Sequence, residues 1–278
     1  MESYGVFAEV YDELMDNIPY DEWVSYICAR LKACGVTGGL LCELGCGTGN
    51  VTERLAREGF DMIGIDNSPE MLELARAKKE AAGSKSLYLC QDMREFELYG
   101  TVDAVISVCD SVNYITDPND LVTVFSLVNN YLETKGIFIF DFHTTHYYRD
   151  VVAGATIAED REDISFIWDN FFDEETSINE LYLSLFLPAE LPESISEASL
   201  QNMSLYQKFE EEHLQRGYTL AEMKELVARS GLTLLHAYDA FTEDEATEQS
   251  DRIYMVCREY TPDGAKKELS DLLHATEI

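Results

Sequence analysis

From Leu40 to Asn50 the chain reads Leu-Leu-Cys-Glu-Leu-Gly-Cys-Gly-Thr-Gly-Asn, and this stretch constrains the fold more than any other. Leu40, Leu41 and Cys42 form the end of a buried strand, Gly45, Gly47 and Gly49 permit a tight turn, and Val51, Leu55 and Ala56 begin a helical pattern. Glycine lacks a Cβ and tolerates positive φ, so a ligand can approach backbone amides at such a turn. The helix that follows presents unpaired N–H groups at its start. Glu43, at the strand end, sets the sign of the ligand, because a fixed carboxylate repels a pyrophosphate and attracts a cation. The alternatives are a structural turn and a dinucleotide loop. A dinucleotide loop has the form G-x-G-x-x-G, whereas position 50 is Asn and the glycines fall at every second residue.

Later strand ends repeat the pattern of an apolar run followed by polar groups. Asp61 to Asp66 is a second strand ending in an acid, with Ser68 as N-cap and Pro69 as first residue of the next helix. A carboxylate at that tip, about 20 residues beyond the loop, can accept both hydroxyls of a ribose. Leu87 to Cys90 is a third strand, followed by Asp92 and Met93, and Val102 to Val108 is a fourth, delivering Cys109, Asp110, Ser111, Asn113 and Tyr114. Gly136 to Asp141 makes a fifth strand. Thr219 to Glu222 is a capping box, and strands at Thr233 to Tyr238 and Ile253 to Arg258 complete the core.

The run Glu43-Leu44-Gly45-Cys46-Gly47-Thr48-Gly49 resembles the first motif of class I methyltransferases that use S-adenosylmethionine (SAM). That resemblance implies an α/β fold: a Rossmann-like, seven-stranded, doubly wound sheet whose last strand is antiparallel. It implies SAM as cofactor, held by Glu43, Gly45, Gly47, Gly49 and Asp66, with Asp92 and Met93 at the adenine. Cys109 and Asp110 then face the reacting methyl group. The stretch Phe7 to Asp12 resembles the opening segment of small-molecule methyltransferases, including amino-sugar N-methyltransferases, where a tyrosine closes the site over SAM. That role falls to Tyr11 and to Tyr20, and Tyr11 is also a catalytic candidate.

Residues 150–215 differ in kind. Ile164, Phe166 and Trp168 alternate, as do Leu181, Leu183, Leu185 and Leu187, with Thr176-Ser177 as a turn signal, which predicts an antiparallel β insert. The expected organisation is a SAM-binding core at 1–149 and 216–260 with an N-terminal helical cover, an inserted β lid at 150–215, and a helical tail at 261–278. A lid supplies acceptor specificity; the alternative for the insert is a dimerisation surface. At its end His213, Gln215 and Gly217 share one strand face, and His213 is the candidate general base, since an unperturbed imidazole titrates near working pH. His143 is a second candidate.

Composition narrows the partners. With 53 acidic and 20 basic residues the formal charge is −33, which opposes binding to nucleic acid or to an anionic membrane surface. Seven cysteines, odd in number and without a C-x-x-C pair, read as reduced thiols of a cytoplasmic protein, and no histidine lies at zinc-ligand spacing from them. No basic-then-apolar leader opens the sequence, and no apolar run reaches the roughly 20 residues that span a bilayer. The expected activity is methyl transfer from SAM to a small-molecule acceptor such as an amine, by a monomer or homodimer. A SAM-binding regulator without turnover and an RNA methyltransferase are the competing readings.

Overall fold

The computed structural model describes residues 5–161, 163–189 and 205–260. Helices α1 (Gly5–Leu14) and α2 (Tyr20–Ala33) precede an alternating series: β1 (Leu40–Leu44), α3 (Asn50–Arg57), β2 (Asp61–Asp66), α4 (Pro69–Ala82) and β3 (Leu87–Cys90). The series continues with β4 (Val102–Ser107), α5 (Pro118–Tyr131) and β5 (Leu132–His143). Four antiparallel strands follow, β6 (Thr156–Asp160), β7 (Ser165–Asp173), β8 (Ile178–Pro188) and β9 (Tyr206–Arg216). The chain then returns through α6 (Leu220–Arg229), β10 (Thr233–Asp239) and β11 (Arg252–Arg258). The helical tail expected beyond residue 260 lies outside the described residues.

The main sheet has the order β10-β11-β5-β4-β1-β2-β3, parallel except for β11, which runs antiparallel to both β5 and β10. This is the expected α/β, doubly wound, seven-stranded arrangement, and the four-stranded sheet β6-β7-β8-β9 is the expected insert. Strand order reverses between β1 and β4, where a crevice opens at the carboxyl ends. Residues along each strand supply both faces in turn. Phe138, Phe140 and Phe142 of β5 pack with α5 and α6, while Ile137 and Ile139 pack with α2 and α3. Each such side chain, once buried, stabilises the fold by about 1.5–3 kcal/mol.

A third apolar cluster lies over the carboxyl ends. It joins Phe7 and Leu14 of α1 and Met71 of α4 to Phe166, Leu181, Leu183 and Leu185 on the inner face of the second sheet. The cover helix and the insert therefore share one small core. Local signals set the helix starts as expected: the Ser68 hydroxyl accepts from the Met71 amide at 3.2 Å, and the Thr219 hydroxyl from the Glu222 amide at 3.1 Å.

Gly49 shows how tightly the core is fitted behind the loop. It adopts φ +76°, and a Cβ there would stand 2.5 Å from the Tyr88 hydroxyl. Gly49→Ala is expected to destabilise the protein by roughly 1–3 kcal/mol, through overpacking and left-handed strain. Gly59→Ala, at φ +99° but with nothing within 4 Å, is expected to cost less. Urea unfolding of the two variants checks the order.

Candidate active site

The carboxyl ends of β1 to β5 open into a cavity of about 560 Å3. Its floor is the glycine turn, its roof α1 and the inner face of the second sheet. Gly45 and Cys46 both donate backbone hydrogen bonds to the Ile65 carbonyl, at 2.8 and 3.0 Å, which ties the turn to β2. Gly45 must be glycine on steric grounds, since at φ +71° a Cβ would lie 2.5 Å from Ser111 Oγ. Gly47, at φ +50°, would place a Cβ against nothing within 4 Å, so bare backbone faces the cavity there. Gly49 does not line the cavity among the described residues. Its want of a side chain serves the packing on Tyr88 instead.

Glu43, Asp66 and Asp92 all reach this one cavity, from three strand tips. Glu43 of β1 is buried, its carboxylate accepting from the hydroxyl and the amide of Thr52 in the first turn of α3. Burial pushes its carboxyl up to about 8, against the lowering effect of those bonds. Asp66 accepts from the Gly47 amide at 2.7 Å and the Ser68 amide at 2.9 Å, so it braces the glycine turn as well as the next helix. Burial raises its carboxyl too. Asp92 is bound by the Arg94 guanidinium, which holds its carboxyl below the usual range, and Met93 lines the wall beside it.

The tip of β4 carries two consecutive non-glycine residues in the left-handed region, Cys109 at φ +59° and Asp110 at φ +52°. Such a backbone is held only where its surroundings enforce it. Here the Asp110 amide donates to Asp141 Oδ1 at 3.0 Å. Arg252 then bridges the two acids, donating to Asp110 Oδ1 at 2.8 Å and to Asp141 Oδ2 at 2.5 Å. It also donates to His143 Nε2 at 2.7 Å and stacks 5.2 Å above Trp23. Burial and the neighbouring guanidinium both depress the His143 imidazole well below its usual range, so it stays neutral. The Nδ1 side faces the Asp251 carbonyl at 3.3 Å. Gln215 of β9 donates to Asp110 Oδ2 at 2.9 Å, joining the insert to this group.

Tyr11 and Tyr20 line the cavity in contact with one another. Burial pushes both phenols up, which keeps each in its neutral, protonated form. His213 also lines the cavity, with its ring against Phe7 and Tyr114 and its Nε2 3.4 Å from Glu211 Oε2. Asn113, by contrast, is fully buried and serves the framework. Its amide donates to the carbonyls of His143 and Arg216 at 2.9 and 2.7 Å and accepts from the His143 amide.

Two groups escaped the sequence reading. Arg252 enters because β11 runs antiparallel, so its first residue meets the last residue of β5; a lone arginine at a strand start carries no such signal. The second is a clasp on α1: Asp12 accepts from Thr48 at 2.7 Å and Asn50 at 2.8 Å and pairs with Lys78 at 2.5 Å. The clasp fastens the cover helix to the glycine turn. Asp12 follows Tyr11 in the same short motif, which was the available clue.

Fold and site together define an α/β architecture with a roofed cavity at the switch point of its sheet. The methyltransferase-domain family matches residues 41–136. YqeM of Bacillus subtilis (strain 168), named as a methyltransferase without a stated acceptor, is 36% identical over 254 residues, covering 90% of this chain and 95% of that protein. A similarly named protein of Geobacillus sp. (strain WCH70) is 31% identical, covering 92% and 99%. The solved SAM-dependent methyltransferase from Clostridium acetobutylicum ATCC 824 is 27% identical with a TM-score of 0.79, covering 93% of this chain and 99% of that one. The chain belongs to the SAM-dependent methyltransferase family. An amino pentose methyltransferase from Micromonospora echinaspora superposes with a TM-score of 0.70 at 17% identity, over 92% and 98% of the two chains, a likeness of fold alone.

Were the cationic end of SAM to lodge beside Glu43, it would displace the proton that burial retains there. SAM is therefore expected to bind more tightly as pH rises towards about 8, by up to about tenfold per unit, releasing a proton as it does so. Glu43→Gln is expected to flatten that dependence. Calorimetry in two buffers of different ionisation enthalpy measures both effects.

Proposed function

We propose that this protein transfers the methyl group of SAM to a small-molecule acceptor, an amine, held inside the roofed cavity. The observation that carries the reading is one roofed cavity lined by the glycine turn, the carboxylates of Glu43, Asp66 and Asp92, and aromatic side chains of the insert and α1. The residues fit the cosubstrate. Bare backbone at Gly47 admits close approach, Asp66 keeps lone pairs beyond its two amide bonds for ribose hydroxyls, and Asp92 and Met93 offer a polar edge and an apolar face to an adenine. Gly45 keeps the turn low by leaving room for Ser111, and Cys109 and Asp110 stand where the reacting methyl group would meet the acceptor.

SAM supplies an already activated methyl group, so the chain's own work is alignment, exclusion of water and management of the acceptor's proton. Tyr11 and Tyr20, carried by the helices over the loop, close the chamber from above. His213, Phe7 and Tyr114 form its far wall, where an acceptor would lie. A volume of about 560 Å3 suits a nucleoside and a small metabolite rather than a macromolecule, and the charge of −33 disfavours RNA. Seven free thiols accord with a reducing compartment such as the cytoplasm.

Labelled SAM incubated with the protein and a metabolite extract is expected to yield a labelled small molecule. Binding of SAM with no labelled product would instead identify a regulator. Asp66→Ala and Gly45→Val are each expected to weaken SAM binding at least about 100-fold, the first by leaving ribose hydroxyls unpaired and the second by blocking the turn. His213→Ala is expected to lower turnover with SAM affinity held within about twofold, since its ring lies in the acceptor wall. Unchanged calorimetric affinity in the first pair would overturn the assignment of the cofactor site.

A further inference from the structure

The charged groups of the cavity say what kind of acceptor it takes. Among the described residues two permanent cations line it, and both are already committed: Arg94 to Asp92 and Asp120, Arg252 to Asp110 and Asp141. The pair around Arg252 leaves one carboxylate charge uncompensated. Of its members Asp141 is wholly enclosed, whereas the Asp110 side chain keeps 21% of its surface open. Asp110 sits on the β4 tip beside the switch point, held in a left-handed backbone by Asp141 and gripped on separate oxygens by Arg252 and Gln215. Tyr148 stands beside it, and the insert's share of the same cavity lining is largely apolar or aromatic, with Phe166, Trp168, Leu181 and Leu183 alongside the polar Glu159 and Asn170. Tyr148 Oη and Trp168 Nε1 are buried without a hydrogen-bond partner among the described residues.

Resting on the methyl-transfer reading above, we infer that the acceptor is an unphosphorylated amine with a compact apolar or aromatic body, and that Asp110 orients its nitrogen and takes its proton, with Arg252 as the positioning residue. A phosphate or pyrophosphate on the acceptor would meet an acidic chamber whose arginines are both occupied. An ammonium instead completes the charge that Arg252 leaves unbalanced, and a flat or branched hydrocarbon body fills the aromatic walls. Asp110 removes one proton from the ammonium and becomes neutral. The freed nitrogen lone pair forms the bond to the methyl carbon, the carbon–sulfur bond breaks with its electron pair left on sulfur, and the methylated product departs as an ammonium. Asp110 then returns its proton to solvent. Arg252 and Gln215 bind one oxygen each, which fixes the plane of the carboxylate and so the line of attack.

The groups facing Asp110 are Arg252 from β11, Asp141 and the neutral His143 from β5, Gln215 from β9, Tyr147 and Tyr148 from the turn after β5, Tyr11, and the adjacent Cys109. Burial raises the Asp110 carboxyl to about 6, with Arg252 opposing the rise. An essential carboxylate of that kind predicts that kcat/KM for an amine falls on the acid side of about pH 6.

The test uses the full chain loaded with S-adenosylhomocysteine and then with SAM, against phenethylamine, N-methylphenethylamine and cyclohexylamine, with 2-phenylethanol and tyramine O-phosphate as counterparts. Calorimetry on the loaded protein is expected to show the amines binding at least about tenfold more tightly than either counterpart. Asp110→Asn is expected to remove that preference while S-adenosylhomocysteine affinity stays within about twofold, and to lower turnover of the amines about 100-fold or more. Arg252→Lys, which keeps the charge and loses the planar fork, is expected to lower kcat roughly tenfold with the amine KM little changed. The acid limb of the pH profile is expected to persist in His213→Ala. Amines that bind no better than the alcohol, an Asp110→Asn variant that keeps the preference, or a limb that vanishes with His213 would each overturn the inference. Methyl transfer to the alcohol or the phosphorylated amine alone would overturn it while the methyl-transfer reading stands, whereas failure to bind SAM would remove that reading itself.

Discussion

Arg252, held between Asp110 and Asp141, is the interaction on which the functional end of this molecule depends. Two carboxylates at neighbouring strand tips repel each other, and one guanidinium bonds to both while balancing the charge of only one. Removing one partner from such a buried group typically costs 3–5 kcal/mol, at about that order, because the remaining charge is stranded. The bridge also stabilises the left-handed backbone at Cys109 and Asp110, since Asp141 uses its second oxygen on the Asp110 amide. Strand pairing, backbone strain and side-chain charge are thus set together at the point where the sheet order reverses.

Above that point the roof is a separate energetic unit. The inner face of the second sheet would be an exposed apolar surface if left alone, and α1 has too little surface to be stable in isolation. Packed together through Phe7, Leu14, Phe166, Leu181 and Leu183, each covers the other. The clasp of Asp12 with Thr48, Asn50 and Lys78 then fastens the roof to the glycine turn through four polar side chains, beside the apolar contact of α1 with Met71 of α4. Polar fastenings exchange readily with water, whereas the main core beneath is largely apolar, with buried polar groups such as Glu43, Ser107 and Asn113 at its carboxyl-end rim. The fold therefore pairs a rigid floor with a cover attached by exchangeable bonds.

Much of this was legible from residues alone, for identifiable reasons. The parallel strands are buried on both faces, so runs such as Leu40 to Cys42 and Ile137 to Phe140 announce themselves by continuous apolar character. Ser68 and Thr219 cap the helices that their sequence contexts indicate. The insert was visible in the period-two alternation of β7 and β8. Cys109, Asp110 and His213 could be placed near the site because each follows or occupies an element whose end is fixed by the topology. Gly49, in contrast, looks like its neighbours Gly45 and Gly47 in the one-dimensional pattern, and only the proximity of Tyr88 distinguishes its role. Likewise Asn113 reads as a polar residue at a strand tip, yet three backbone groups from distant segments consume its amide.

What the sequence by itself determined is the class of fold, the position of the glycine turn and which strand ends carry acids, because these follow from local periodicity and from the φ values that glycine alone tolerates freely. What only the tertiary structure decided is how those acids are charged and engaged. Glu43 holds its proton because the core closes around it, Asp66 braces the turn, and Asp110 is left open while Asp141 is sealed. Arg252 reaches them from a strand more than a hundred residues away, since an antiparallel final strand returns its first residue to the carboxyl ends of its neighbours. Desolvation and long-range pairing depend on distances in space, and no pattern of adjacent residues encodes those distances.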